Sequence, residues 1–211
     1  MVRKLGMTAV AVALTFGGLA TFAGPAFAGK PALGNATGNV TCNIIGKVKI
    51  VPPLTNVNTV PSTTTAKIKS TSCSASGGTI GQYGITKSKA LVVSHGTEPG
   101  TCSGVLQPGT TPFTATISWK SGGASLNGST VTFANVGPSG DGFDLPSNGA
   151  AGKATSTVSG SFAGDDAWSH ASIDLGQVAS QLATCDPNEK GKTKGIKKIT
   201  ITGGHIDITT T

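Results

Sequence analysis

The segment 160–170, GSFAGDDAWSH, gathers the side chains best suited to chemistry. Asp165, Asp166, Trp168 and His170 fall within six residues. Adjacent carboxylates beside an aromatic ring could hold a cation or a sugar. An imidazole titrating near neutrality could shuttle protons. Against this, sequence neighbours usually point apart, and a glycosidase needs two carboxylates facing across a cleft. The plainer expectation is a solvated loop with Trp168 packed over a sheet edge.

Other chemical signals are weaker. SGDGFDLP at 139–146 matches part of a calcium-binding nonapeptide at Gly140, Gly142 and Asp144. That motif works in tandem and occurs once here, so an acidic glycine loop is expected. LPSNG at 145–149 has the letters of a sortase signal without its C-terminal position or apolar tail. His95, His170 and His205 are scattered, and no G-x-S-x-G occurs. A Ser-His-Asp triad assembled in space is open to any serine-rich protein, so that possibility carries little weight. No catalytic constellation, metal or cofactor is expected.

The lysines are more systematic. Lys47/Lys49, Lys67/Lys69 and Lys87/Lys89 are i, i+2 pairs spaced twenty residues apart, and the members of such a pair share one strand face. If their strands pair, six lysines gather on one outer surface. That surface could meet an anionic envelope polymer or lipid head groups. Alternatively it keeps the sheet soluble and guards its edges.

Compartment follows from the two ends and the cysteines. Residues 1–28 read as a secretory signal: Arg3 and Lys4, an apolar run broken by Gly17 and Gly18, then Ala26-Phe27-Ala28 as a small-x-small cleavage site. The mature chain is expected to begin near Gly29, with no transmembrane segment after it. Losing Arg3 and Lys4 leaves fourteen basic residues, all lysine, against nine acids, a net charge of +5. A chain without arginine and poor in aromatics is not built to bind nucleic acid. Cys42, Cys73, Cys102 and Cys185 are an even set without metal-site spacing, so two disulfides are expected. Cys73–Cys102 would flank one hairpin-like segment, and Cys42–Cys185 would tie the first strand to the segment before the last. In the chain-entropy model the longer loop contributes roughly 5 kcal/mol and the shorter about 3.5.

These residues must be positioned mostly by strands. In 111–120, TPFTATISWK, Phe113, Ala115, Ile117 and Trp119 alternate with Thr114, Thr116, Ser118 and Lys120. That is a half-buried strand and the expected centre of the sheet. After a flexible leader at 29–39, Val40, Cys42, Ile44, Gly46, Val48 and Ile50 share the inner face of the first strand, which Pro52-Pro53 ends. In 64–71, Ala66 and Ile68 point inward. Cys73 is out of phase, so a bulge near 70–72 or a change of sheet is expected. Further strands are expected at 85–94, 101–106, 129–136 and 153–162, and a last strand or strand pair over 196–202 and 205–208. Residues 137–152 and 163–172 read as loops. One helix is expected near 175–184, capped by Asp174 with Gln177 completing a capping box. Roughly eight to ten strands with glycine-rich turns imply an all-β fold, a β-sandwich of immunoglobulin-like or Greek-key type. The 183 residues from 29 to 211 fit one domain.

CNIIGKVKIVPPL at 42–54, SGVL after Cys102, ISW at 117–119, STVTF at 129–133, GSFAG at 160–164 and Thr184-Cys185 ahead of KGIKKITITGG form a set. With them the chain resembles a group of small, secreted, disulfide-bonded actinobacterial proteins. The resemblance implies compartment and an all-β fold and carries no functional residue across. Two readings follow. One is a non-enzymatic structural or binding protein of the envelope, touching an anionic component through its lysines. The other is an extracellular hydrolase of sugars or esters at 160–170.

Overall fold

The computed structural model describes residues 29–95, 100–107, 112–146, 156–187 and 193–210. Residues 1–28, expected to be a secretory signal, lie outside the described residues, as do Thr111 and residues 153–155, each expected to open a strand.

The alternating pattern produces one sheet. Its ten strands are β2 (Asn39–Leu54), β3 (Thr63–Ser76), β4 (Lys87–His95), β5 (Phe113–Lys120), β7 (Ser129–Phe133), β8 (Gly137–Ser139), β9 (Gly142–Leu145), β10 (Ser156–Gly160), β11 (Asp166–Ile173) and β12 (Ile196–Thr209). They lie side by side in the order β10-β7-β5-β4-β3-β2-β12-β11-β9-β8, every pairing antiparallel. The centre is therefore β3 and β2 rather than β5. The sheet curls until edge strand β10 meets β11. There the Ser156 hydroxyl donates to Ala167 O and accepts from Ala167 N, each at 2.8 Å. One buried hydroxyl thus satisfies both backbone groups where no ladder runs.

The all-β class stands, and the ten strands form one curled antiparallel sheet. Alternation reports that each strand has one dry face. It does not report whether a second sheet or the sheet's own curl supplies the cover. The expected helix is α2 (Leu175–Leu182). Asp174 Oδ1 accepts from Gln177 N at 2.9 Å. The Gln177 side chain does not complete the box: its carbonyl accepts from Thr200 N and Oγ1, clamping α2 to β12.

Other expectations change. Residues 101–106 form a 3-10 turn, Ser103–Leu106, in place of a strand. The expected loop 137–152 contains the β8–β9 hairpin, and most of the expected loop 163–172 is β11. A short helix, α1 (Ile80–Tyr83), lies between β3 and β4. The last strand is continuous through Gly203-Gly204, with an irregularity in its pairing there. The leader is held: β1 (Ala32–Gly34) pairs with β6 (Ser125–Leu126), and Ala36 is fully buried.

The cysteines pair as Cys42–Cys73 and Cys102–Cys185, correcting both expected bridges. The bulge explains the first. Asn43 faces Ser72 and Ile44 faces Ser70, so Thr71 is the extra residue. It shifts β3 by one and sets Cys73 directly opposite Cys42, with Cα atoms 4.0 Å apart. With that partner used, Cys102 of the 3-10 segment joins Cys185, just beyond α2. Two disulfides point to an oxidising environment. No helix among the described residues is long and apolar enough to cross a membrane.

Buried side chains form two clusters. One holds Val40, Ile117, Trp119, Val131, Phe133 and Phe162 among others. The other gathers Ile50, Ile173, Val178, Ile196 and Ile199 around the Cys102–Cys185 bridge.

Candidate functional site

Three places on the molecule have chemistry. The first is the outer face of the sheet. Lys47, Lys49, Lys67, Lys69, Lys87 and Lys89 are all exposed and lie on neighbouring strands β2, β3 and β4. Register makes the crowding specific: Lys47 faces Lys67 and Lys69 faces Lys89. Two further lysines extend the surface. Lys120 faces Lys87, and Lys198 faces Lys49. Lys120 ends a strand whose polar phase was already evident; Lys198 needed the β12–β2 register. Like charges directly opposite in a sheet are destabilising. No acid occurs in β2, β3, β4 or β5, and the only ion pairs among the described residues involve histidine. Among the described residues no acidic side chain pairs with these lysines.

The second place is the outer face of β11 and its neighbours. Asp166, Trp168, His170 and Ser172 alternate outward on this strand, while Ala167, Ser169, Ala171 and Ile173 are buried. Asp165 precedes the strand, and Asp165 Oδ2 and Trp168 Nε1 are buried without a partner. Burial, then the neighbouring Asp166 charge, raises the Asp165 pKa. Trp168 packs on the His205 ring at 4.5 Å rather than over an edge. Asp165 and Asp166 are not His170's partners. Its Nδ1 lies 2.6 Å from Asp144 Oδ1, its Nε2 3.1 Å from Asp141 Oδ1, and Ser172 Oγ is 3.4 Å from Nε2. The carboxylates come from the β8–β9 hairpin, brought alongside by the His170–Asp144 register. Glycine is required at Gly142, where a Cβ would fall 1.9 Å from Ala171 O.

Ser172, His170 and Asp144 stand in the order of a hydrolase triad, but the ring is not poised as a base. Asp141 takes up the nitrogen facing the serine. Only the protonated ring can donate to both carboxylates, and in that form it has no lone pair left to accept a proton. Hydrogen bonding to Asp144, opposed by desolvation and helped by Asp141, raises the His170 pKa above 6.5. The two carboxylates favour the protonated ring, and the cluster fastens the hairpin to β11.

A raised histidine pKa gives stability that is complete below the unfolded value of about 6.5. That stability fades as pH rises through the folded value. Asp141 works oppositely. Hydrogen bonds from Ser172 and His170 depress its pKa, so its share fades as acid reaches that depressed value. We expect an NMR titration to place His170 above 6.5. Amide exchange at Gly142 and Asp144 should quicken as the ring deprotonates. Asp144→Asn should lower the His170 pKa and remove that pH dependence; an unchanged pKa would refute this coupling.

The third place was not visible in the sequence. The two core clusters leave between them a space of about 480 Å³ inside the curl. Ile44, Ile50, Ala66, Ala90, Ile173 and Ile199 are among its walls, and among the described residues no charged side chain lines it. Ser169, Ala171 and Ile173 face into it from β11, so the histidine cluster lies on the opposite side of the same strand. Thr101 and Gly104 line it and are exposed, which marks its mouth. Its hydrocarbon walls face water wherever nothing occupies them, which is unfavourable for apolar surface. Filled with water, it would offer that water few partners. Aliphatic residues in strand periodicity look alike whether they close a core or line a hollow, so no signal of the space was available.

Comparison with protein-family models, with characterised proteins and with solved structures finds no match in any of the three.

Proposed function

We propose that this is an exported, non-enzymatic binding protein of the cell envelope, docking an anionic envelope polymer against its lysine face. One observation carries the reading: four pairs of lysines stand directly opposite one another on adjacent strands, with no acid in β2 to β5. Self-repulsion of that kind is relieved by a polyanion, which gains from every lysine at once. Solubility alone needs charge but not registered like-charge pairs. The signal segment at 1–28, the two disulfides and the resemblance to secreted actinobacterial proteins support export.

The test separates recognition from stability. Lys47, Lys67, Lys69 and Lys89 changed together to Gln should cut retention on isolated cell wall and flatten its salt dependence, since exposed charges are screened by salt. The same variant should unfold at slightly higher urea, because two opposed pairs are gone. Lys194 and Lys197 changed to Gln serve as the control and should leave retention intact. Retention indifferent to salt, or equal loss in the control, would refute the reading.

A further inference from the structure

We propose that the space inside the curled sheet is a binding site for one extended acyl chain, entering methyl end first with its polar end at the Thr101 mouth. The inference stands apart from the lysine-face reading, because the lysines lie on the other surface of the same strands.

Size and shape come first. About 480 Å³ falls within the range of small-ligand sites, which runs from about 300 to 1,000 Å³. The space follows β4 from Ser88 to Ser94, about 20 Å at the rise of an antiparallel strand. An elongated hollow fits an extended chain.

The chemistry of the wall selects further. Val, Ile, Leu and Ala dominate, and among the described residues Phe133 and Phe143 are the only rings that line it. Without facing aromatics it offers no stacking platform for a planar heterocycle. Without charge it offers nothing to a buried ion, whose desolvation would go unanswered. The hydroxyls are distributed unevenly. Ser169 Oγ is spent on His205 O at 2.8 Å. Thr64 and Ser94 face each other across β3 and β4, at the same end of the hollow as Leu54, Gly100 and Thr101. At the far end Ile44, Ile68, Ile117 and Ile206 present hydrocarbon, with Ser88 beside them; two facing hydroxyls, those of Thr64 and Ser94, mark the end nearer Thr101. A ligand matched to this gradient is apolar along its length and carries a hydrogen-bonding group at one end. Hydroxyls can donate to the carboxylate of a fatty acid or the ester carbonyl of a monoacyl lipid.

The experiment uses the disulfide-bonded chain and dansyl-undecanoic acid as a fluorescent probe, with palmitate and lysophosphatidylglycerol as competitors. Saturable one-to-one binding is expected, displaced by palmitate. Displacement by the lysolipid as well would show that the chain itself is recognised whatever its head; displacement by palmitate alone would assign the free acid. Ala90→Phe and Val92→Phe each push a ring into the hollow and should weaken binding roughly tenfold or more. Both should also raise the urea midpoint by filling apolar space. Leu91→Ser, on the outer face of the same strand and 44% exposed, should leave binding unchanged. No saturable binding, or loss in Leu91→Ser with none in the two phenylalanine variants, would overturn the proposal. The lysine-to-glutamine variant should bind the probe normally, so failure of this inference leaves the polymer test untouched.

Discussion

Changing Cys102 and Cys185 together to Ala should cost about 4.5 kcal/mol of folding stability, more than loss of the other disulfide. The bridge spans 83 residues, and the loss follows from the denatured-state loop entropy for that length. Cys42–Cys73 spans 31 residues, for which the same relation gives about 3.7 kcal/mol. The native state widens the gap. Cys42 and Cys73 join strands already paired along thirteen positions, so removing their bond leaves the hairpin zipped. Cys102 and Cys185 join a 3-10 turn to the end of α2, and no ladder connects those two segments. Both sulfurs are buried in the second core cluster. Urea titrations of the two double variants should show both midpoints lowered, the Cys102/Cys185 variant further. Equal midpoints would mean that the 3-10 segment is held by something else. The bridge also fastens the wall that Thr101, Gly104 and Val105 contribute to the internal space. Its removal should therefore weaken acyl-probe binding, while removal of Cys42–Cys73 should not.

The pairing of those cysteines shows what alternation could and could not reveal. The misphased Cys73 pointed correctly to a bulge, because a period of two makes one extra residue conspicuous. Which cysteine the bulge served depended on strand order, and nothing in the spacing encodes that β2 and β3 are neighbours. The helix at 175–182 was legible because Asp174 supplies a cap and Leu175, Val178 and Leu182 a stripe. The partner of Gln177 was not, since Thr200 lies across a chain reversal. The lysine surface was half legible: phase put six residues on a face, and register added Lys120, Lys198 and the facing pairs. His170 was singled out with the wrong carboxylates. Proximity in sequence favoured Asp165 and Asp166, whereas strand register delivers residues 26 and 29 positions away. Curl is the largest omission. Strand patterns describe faces, and only the three-dimensional path of the sheet decides whether those faces close completely or leave room inside.

Trp119→Ala should be the most damaging single substitution in the first core cluster, at about 3–5 kcal/mol for a buried aromatic truncated to alanine. Trp119 is 6% exposed and packs edge-on against Phe162 with centroids 5.3 Å apart. Its indole N–H donates to Ser129 Oγ at 2.7 Å, and that hydroxyl donates to Ser161 O at 2.6 Å. Ser161 continues the chain: its Oγ accepts from Ala36 N at 3.1 Å and donates to Asn127 O at 2.8 Å. Phe162 N donates to Ala36 O at 2.6 Å, and Phe162 holds a φ of 64°, a backbone setting uncommon outside glycine. The indole therefore supports more than its own volume, because the segment carrying Ser161 and Phe162 helps hold the leader at Ala36, beside the β1–β6 pairing. Truncation should release that segment. The urea midpoint should fall by about 2 M, taking a slope near 2 kcal/mol per molar, and amide exchange at Ala36 and Phe162 should rise together. Trp119→Phe keeps a ring against Phe162 and deletes only the N–H. It should cost about 1–2 kcal/mol, nearer the value of one buried hydrogen bond than of a lost ring. If Trp119→Ala left Ala36 exchange unchanged while stability fell, the indole would be filling space only and the serine relay would not connect core to leader. If both variants fell equally, the hydrogen bond rather than the ring would be the dominant contact at this position.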